Sequence, residues 1–478
     1  MPEKDPVSLL NDRTCWRKAR AERLAVIVDA ADFFRAAKEA MLKARRSVLL
    51  IGWDFDARIK LEPEGETLEG PNAVGSFLNW LAKRRSDLEI RILKWDAGVM
   101  QSLARGETPF YMLQWLAPGR VEMRLDHAHP PLAAHHMKLI VIDDAVAFCG
   151  GIDMTLGRWD TCAHEEGRKG RRSPWGFRLD PWHDATTCIS GPAAEALGAL
   201  ARQRWLRATG EDLQPVKATH EAWPESLKAN LRDIQIGIAR TIPAYDGHAQ
   251  VSEIEALKLA IIAGAKQSLY IESQYFASIT IAKAIAARLA EPDPPEIVVL
   301  NPDTAEGWLE AKVMDSARTQ MLQRIRAADR QGRFRILYPV NEAGTPIYVH
   351  AKIMIADDQV LKIGSANLNN RSMGFDTECD VVLEAGGDRA VGEEILAIRN
   401  RLLAEHLGQE PQTVEAALAR AGGSMIAAID ALNGEAPRLE PMPMRELTAK
   451  EEALADSDLA DPERPRDFWR SLPAFLRR

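Results

Sequence analysis

Ile347-Tyr348-Val349-His350-Ala351-Lys352-Ile353-Met354-Ile355-Ala356-Asp357-Asp358 leads into Ile363-Gly364-Ser365-Ala366-Asn367, and this stretch decides how the chain is read. Its histidine and lysine stand two residues apart in an alternating apolar run, which on a strand puts both side chains on one face. The same spacing occurs 214 residues earlier in His136-Met137-Lys138, followed by Asp143 and by Gly150-Gly151-Ile152-Asp153. The chain carries the pattern twice.

The surroundings of the two copies repeat as well. Ala44-Arg45-Arg46-Ser47-Val48-Leu49-Leu50-Ile51 has its counterpart in Ala265-Lys266-Gln267-Ser268-Leu269-Tyr270-Ile271-Glu272, and Leu88 to Leu93 in Pro295 to Leu300. Helical periodicity from Ala21 to Arg45 runs into the apolar strand pattern of Ser47 to Phe55, and this alternation of helix and strand signals is that of an α/β unit. The reading is therefore a tandem duplication: residues 1–215 with the first motif, 216–435 with the second, and a tail rich in Pro and charge over 436–478. The seam is expected near 208–225, where Gly210, Pro215 and Pro224 interrupt periodicity. A segment rich in Gly and charge between Gly157 and His183 reads either as a solvated loop or as a lid beside a site. The tail is expected to be extended or partly disordered, and its Phe468, Trp469 and Phe475 to dock on the body or touch a bilayer.

With 478 residues, 46% hydrophobic and 27% charged, the chain reads as globular with a sizeable core. Its 61 Lys plus Arg against 69 Asp plus Glu give a net charge of -8, which weighs against a protein that coats nucleic acid. No stretch approaches about 18 uncharged apolar residues, so no spanning helix is expected, and the first residues lack the pattern of a secretory signal. Five scattered cysteines are read as unpaired thiols. The expected location is cytoplasmic or peripheral at a membrane.

A pseudo-twofold packing of the halves would gather two imidazoles and two ammonium groups around one pocket. That set suits a phosphoryl group: lysines neutralise its oxygens, one imidazole attacks, and the other protonates the leaving oxygen. Each imidazole then needs a carboxylate on its second nitrogen, for which Asp184 and either Glu378 or Asp376 are candidates. Gly150-Gly151 and Gly364-Ser365 allow close approach of backbone to phosphate, and Asn367 can donate an amide hydrogen bond.

The doubled pattern at 136–153 and 350–367 resembles the phospholipase D superfamily, as do Tyr270 to Phe276, Trp182-His183-Asp184 and Ile363 to Ser372. The resemblance covers most of residues 25–405. It implies an α/β, pseudo-twofold duplicated fold, with two mixed β-sheets flanked by helices and one shared active site. It further implies His136 as nucleophile of a phosphohistidine intermediate, His350 as general acid and base, and Lys138, Lys352 and Asn367 as phosphate ligands. Glu378 would orient His136, and Asp184 would orient His350, each from the opposite half. Ser365, Gly151 and Asp153 complete the expected substrate contacts, although Asp153 stands where many members have Asn. Asp143 and Asp357 are expected to hold turns.

The implied activity is hydrolysis of the distal phosphodiester of a glycerophospholipid at a membrane or micelle surface, by a monomer, with water or an alcohol as acceptor. A cardiolipin synthase-type phosphatidyltransferase is the nearest alternative, followed by a nuclease of the same superfamily. His127, His129, His135 and His136 cluster locally, but metal sites need convergent ligands and the implied chemistry uses none, so no metal or other cofactor is expected. Trp53, Trp95, Trp115, Trp159, Trp175 and Trp182 are divided between core and a site entrance.

Overall fold

A computed structural model describes residues 8–96, 115–116, 119–217, 220–305, 308–443 and 448. The first half contains β1 (Arg17–Val28), α1 (Ala30–Lys43), β2 (Ser47–Gly52), α2 (Val74–Arg84), β3 (Glu89–Trp95), β4 (Val121–Asp126), β5 (Leu139–Ile142), β6 (Val146–Gly150), β7 (Trp182–His183), β8 (Ala185–Ser190) and α3 (Pro192–Thr209). The second contains β9 (Leu231–Ile242), β10 (Val251–Ser252), α4 (Glu253–Gly264), β11 (Ser268–Glu272), α5 (Ile279–Leu289), β12 (Glu296–Leu300), α6 (Trp308–Ala328), β13 (Phe334–Val340), β14 (Tyr348–Val349), β15 (Ile353–Ala356), β16 (Val360–Gly364), α7 (Asn370–Gly374), β17 (Glu378–Glu384) and α8 (Arg389–His406).

The apolar runs anticipated as strands occupy the buried middle of each half. Val48 to Ile51, Ile90 to Leu93 and Ile297 to Leu300 are buried on both faces, as parallel strands covered by helices must be. Pro192 opens α3 and Gly210 closes it at φ 78°, a left-handed cap that glycine adopts without penalty.

The expected two sheets are joined into one. With β18 (Arg438–Pro441) at one edge, the strand order is β18-β13-β12-β11-β15-β16-β17-β9-β1-β8-β6-β5-β2-β3-β4, with β10 against β9. The joint is the antiparallel pair of β1 and β9, whose open edges would otherwise leave a row of unpaired backbone groups. Their register is symmetric: Arg17 faces Ile238 and Leu24 faces Leu231, and a shift of 214 residues turns one pair into the other. β1 and β9 also begin and end 214 residues apart, so the motif spacing is the spacing of these two strands about a pseudo-twofold axis through their ladder. One buried cluster lies under α1 and α2, another under α4 and α5, and a third runs through both halves beneath α3 and α8.

The tail begins as structure. Arg438–Pro441 forms β18, antiparallel to β13, because β13 is otherwise an open edge. Phe468, Trp469 and Phe475 lie outside the described residues.

Candidate active site

Each motif aspartate builds the ground beneath its histidine. Asp143 accepts the backbone N–H groups of Arg45, Arg46 and Ser47, and Asp357 those of Lys266, Gln267 and Ser268. Both sit at φ 51°, a left-handed turn position that Asp tolerates better than most residues. They hold turns, as expected, and clamp β2 and β11 to the hairpins that carry the motifs.

Short cross-half pairings place the histidines. β14 runs parallel to β7, and the His350 N–H donates to the His183 carbonyl at 2.7 Å. In the mirror position the His136 N–H donates to the Thr377 carbonyl at 2.8 Å. Each histidine is therefore anchored one residue before a carboxylate of the other half. His136 Nδ1 lies 3.0 and 3.1 Å from the two oxygens of Glu378, and His350 Nδ1 lies 2.6 Å from Asp184 Oδ2. Asp376 instead pairs with Arg371 and accepts the Ala134 N–H. Lys138 and Lys352 each donate to the carbonyl of their own motif histidine.

The two halves of the site differ in charge. Burial tends to raise Glu378, but the His136 charge and hydrogen bond hold it below the usual carboxylate range. Burial pushes Asp184 up to about 6. Burial, then the charges of Lys352, Arg158, Lys138 and His136, press His350 well below the ordinary imidazole value. Burial also brings Lys352 down to about 7. His136 thus faces a carboxylate held low, whereas His350 faces one that burial raises while its own ring is pressed toward the neutral form.

Three expected substrate contacts have other tasks. Asp153 Oδ2 pairs with Lys138 at 3.1 Å while Oδ1 accepts the Trp53 and Asp54 N–H groups. Its oxygens hold Lys138 and the Trp53–Asp54 backbone, and a carboxylate offers a phosphate no donor. The Ser365 hydroxyl donates to Glu378 and accepts the Cys379 N–H, so it fixes the carboxylate. Gly151 donates its N–H to the Ala185 carbonyl, and a Cβ there would stand 2.1 Å from Asp184 Oδ1. It is glycine to make room for Asp184. Asn367 does reach the site: its amide nitrogen lies 3.4 Å from Gln274 Oε1, its Oδ1 is buried without a partner, and Lys352 donates to the same Gln274 oxygen at 3.3 Å.

Gln274, Ser372 and Arg158 escaped the sequence reading. Ser372 donates to Glu378 Oε1 at 2.7 Å, and the Arg158 guanidinium lies 3.9 Å over the Trp182 ring, which in turn packs against His350 and Tyr348. Only their places inside the quoted stretches, and in Gly157-Arg158-Trp159 beside the first motif, could have drawn attention to them. Of the tryptophans, Trp53 stacks on Trp95 and meets His136 edge-on at 6.5 Å, whereas Trp115 is core.

The histidine cluster upstream of His136 does not converge: His129 pairs with Asp96, and His135 with Asp126. Among the described residues, the donors that do converge are Asp29, His164, His183 and Glu405, and His183 with Glu272 and His406. Both nitrogens of His164 and of His183 already face carboxylates within 3.1 Å. These rings act as charged struts beneath Asp184, whose N–H donates to Asp29.

The comparisons agree with this geometry. The family description "Phospholipase D" matches residues 40–284, just over half of the chain and including the first motif, and "Cardiolipin synthase, PLD-like domain" matches 259–396, including the second. Phospholipase D alpha 4 of Arabidopsis thaliana is 23% identical over 80% of this chain and 64% of its own length. Phospholipase D A of Dictyostelium discoideum is 24% identical over 80% of this chain and 35% of its own. The chain thus spans between about a third and two thirds of these relatives. In fold it is similar to the phosphatidylserine synthase of Haemophilus influenzae Rd KW20, with a TM-score of 0.55 at 12% identity over 86% of this chain and 96% of that one. With two motifs, histidine–carboxylate contacts made across the halves and a family match over more than half its length, the chain belongs to the phospholipase D family.

Proposed function

We propose that the chain is a phospholipase D, cleaving the distal phosphodiester of a glycerophospholipid to phosphatidic acid and a free head-group alcohol. The observation that carries this reading is the pair of histidine–carboxylate contacts made across the halves, around two buried lysines. An Nδ1–H donated to Glu378 leaves Nε2 of His136 with its lone pair. That nitrogen attacks phosphorus and the bond to the head-group oxygen breaks, while His350 donates a proton to the departing oxygen. Water then gives its proton to His350 and its oxygen to phosphorus, and the P–N bond breaks. An alcohol in place of water gives transphosphatidylation.

His350 has to be charged for the first step, which burial opposes first and the neighbouring cations second. A bound phosphodiester anion offsets the cations, though not the burial, and so favours uptake from solvent of the proton that the leaving oxygen needs. Lys138 and Lys352 take the non-bridging oxygens, with Asn367 as amide donor. Both halves of one chain supply the site, so we place the reaction in a monomer at a lipid surface. Among the described residues no helix is long and apolar enough to cross a membrane.

The test is product analysis of the purified protein with phosphatidylcholine, phosphatidylglycerol and DNA side by side. Choline release and ethanol-dependent phosphatidylethanol are expected. Cardiolipin from phosphatidylglycerol would favour a phosphatidyltransferase, which the match of the second half to a cardiolipin synthase description keeps in view. Cleavage of DNA alone would overturn the lipid reading.

A further inference from the structure

The segment from Leu156 to Pro181 leaves and rejoins the fold at the candidate site. Asp153, on Lys138, precedes it, and Trp182, against His350, follows it. Its base is braced. The Arg171 guanidinium donates to both oxygens of buried Asp160 at 2.9 and 2.8 Å, and the Asn341 amide of the second half donates to the His164 carbonyl at 3.1 Å. Arg168 pairs with Glu64 at 2.7 Å.

From this base a short hairpin projects. Arg172 bridges Arg178, the Ser173 N–H donates to the Phe177 carbonyl at 2.8 Å, and the Gly176 N–H to the Ser173 carbonyl at 2.9 Å. Gly176 takes φ 83°, which glycine adopts without steric cost. At the tip Trp175 and Phe177 are 67% and 70% exposed, the two most exposed large hydrophobic side chains among the described residues. Single exposed apolar residues need no explanation, but two aromatics side by side on a braced projection do. The charge around them is chosen. Arg168 and Arg171 are neutralised by Glu64 and Asp160, whereas Lys169, Arg172 and Arg178 stay exposed on the hairpin side, with exposed Asp180 on the stem and exposed Glu165 and Glu166 at the base.

We propose that the Trp175–Phe177 tip is a lipid-interface anchor that inserts its two rings at the headgroup level of an anionic bilayer, with Lys169, Arg172 and Arg178 against the lipid phosphates. The amphipathic Trp indole settles at that depth, the Phe ring adds apolar area at the headgroup–acyl boundary, and flanking cations are drawn to anionic headgroups. The braced base means that little chain has to be ordered on binding. Because the segment is rooted at both ends in the site, anchoring the tip holds the pocket at the surface that supplies substrate. This purpose rests on the phospholipase reading, but the anchoring itself is measured without turnover.

The experiment is co-sedimentation of the full chain with vesicles of phosphatidylcholine alone or mixed with phosphatidylglycerol. Wild type is compared with W175S/F177S and R172E/R178E, and hydrolysis of a soluble short-chain phosphodiester is followed in parallel. Wild type is expected to favour the anionic vesicles and to lose binding with added salt. Each double variant is expected to partition at least about tenfold more weakly, with soluble-substrate turnover unchanged. Unchanged partition of W175S/F177S overturns the proposal, as does a change confined to self-association, which would make the tip a protein contact. If no variant turns over any phosphodiester, the proposed function fails, while the vesicle result still decides the anchor.

Discussion

Replacing Glu378 by Gln keeps size and burial but removes the charge that sets the His136 ring. In the native site the carboxylate accepts from His136 Nδ1 at 3.0 Å, from the Ser372 hydroxyl at 2.7 Å and from the Ser365 hydroxyl. An amide has one acceptor oxygen and one NH2 group. If the NH2 turns toward His136 it donates to Nδ1, which moves the ring proton to Nε2 and blocks the attacking lone pair. If the oxygen stays on His136, the imidazolium formed during the reaction loses its counter-charge. Either way the loss expected from an orienting carboxylate is about 10³- to 10⁴-fold in kcat, with about 1–3 kcal/mol of stability from the disturbed buried hydrogen bonds. Single-turnover release of the head-group alcohol reads the rate, and a urea titration reads the stability. A kcat within a few-fold of wild type, in a protein that still folds, would refute the assignment of Glu378 to His136.

Gly151→Ala forces a methyl group to within 2.1 Å of Asp184 Oδ1; displacement of that carboxylate should lower kcat about 100-fold, and unchanged kinetics would show that Asp184 need not stay put. Lys352, brought down to about 7 by burial, is charged below that pH, so KM for a phosphodiester should climb as pH passes it; Lys352→Arg, always charged, should flatten the climb. His164 is raised from 6.5 to about 10, because Asp29, Asp160 and Glu405 outweigh the burial that opposes its charge. A raised imidazole stabilises the fold fully below its unfolded value, and that contribution is lost as pH rises through the folded one. Urea midpoints should therefore decline between pH 6.5 and about 10, and a flat profile across that window would remove the charged strut.

Much of this molecule is written in its spacing. The interval between His136 and His350 is also the interval between Arg17 and Leu231, the first residues of the two central strands, and between the strands that follow the two motifs, so one number read from the motifs relates the middle of the sheet. Residues whose chemistry is unusual for their burial were legible too: the two lysines, the two histidines and their carboxylates. What the motif could not convey was direction. Gly151 and Ser365 occupy matching places, but one clears space for Asp184 while the other hydrogen-bonds Glu378, because the shorter carboxylate needs the backbone closer. Asp153 and Asn367 match as well, yet only the aspartate can neutralise its lysine, and only the amide can donate. The struts beneath Asp184, from Asp29, His164, Glu272 and Glu405, come from four distant segments that only the fold brings together. The segment between Gly157 and His183 reads from sequence as either a loop or a lid, because periodicity says nothing about where a non-repeating stretch points.

The central claim is that His136 and His350 work in one reaction, the first forming a bond to phosphorus and the second moving the proton. A phospholipid labelled at its phosphate, mixed with wild type and quenched within one turnover, tests it most directly when the labelled peptide is identified by mass spectrometry. The account predicts label on the peptide that contains His136, none after His136→Ala, and slowed labelling after His350→Ala that is restored by a substrate whose leaving alcohol needs no proton. Label on His350, or full turnover with no labelled histidine, would contradict it.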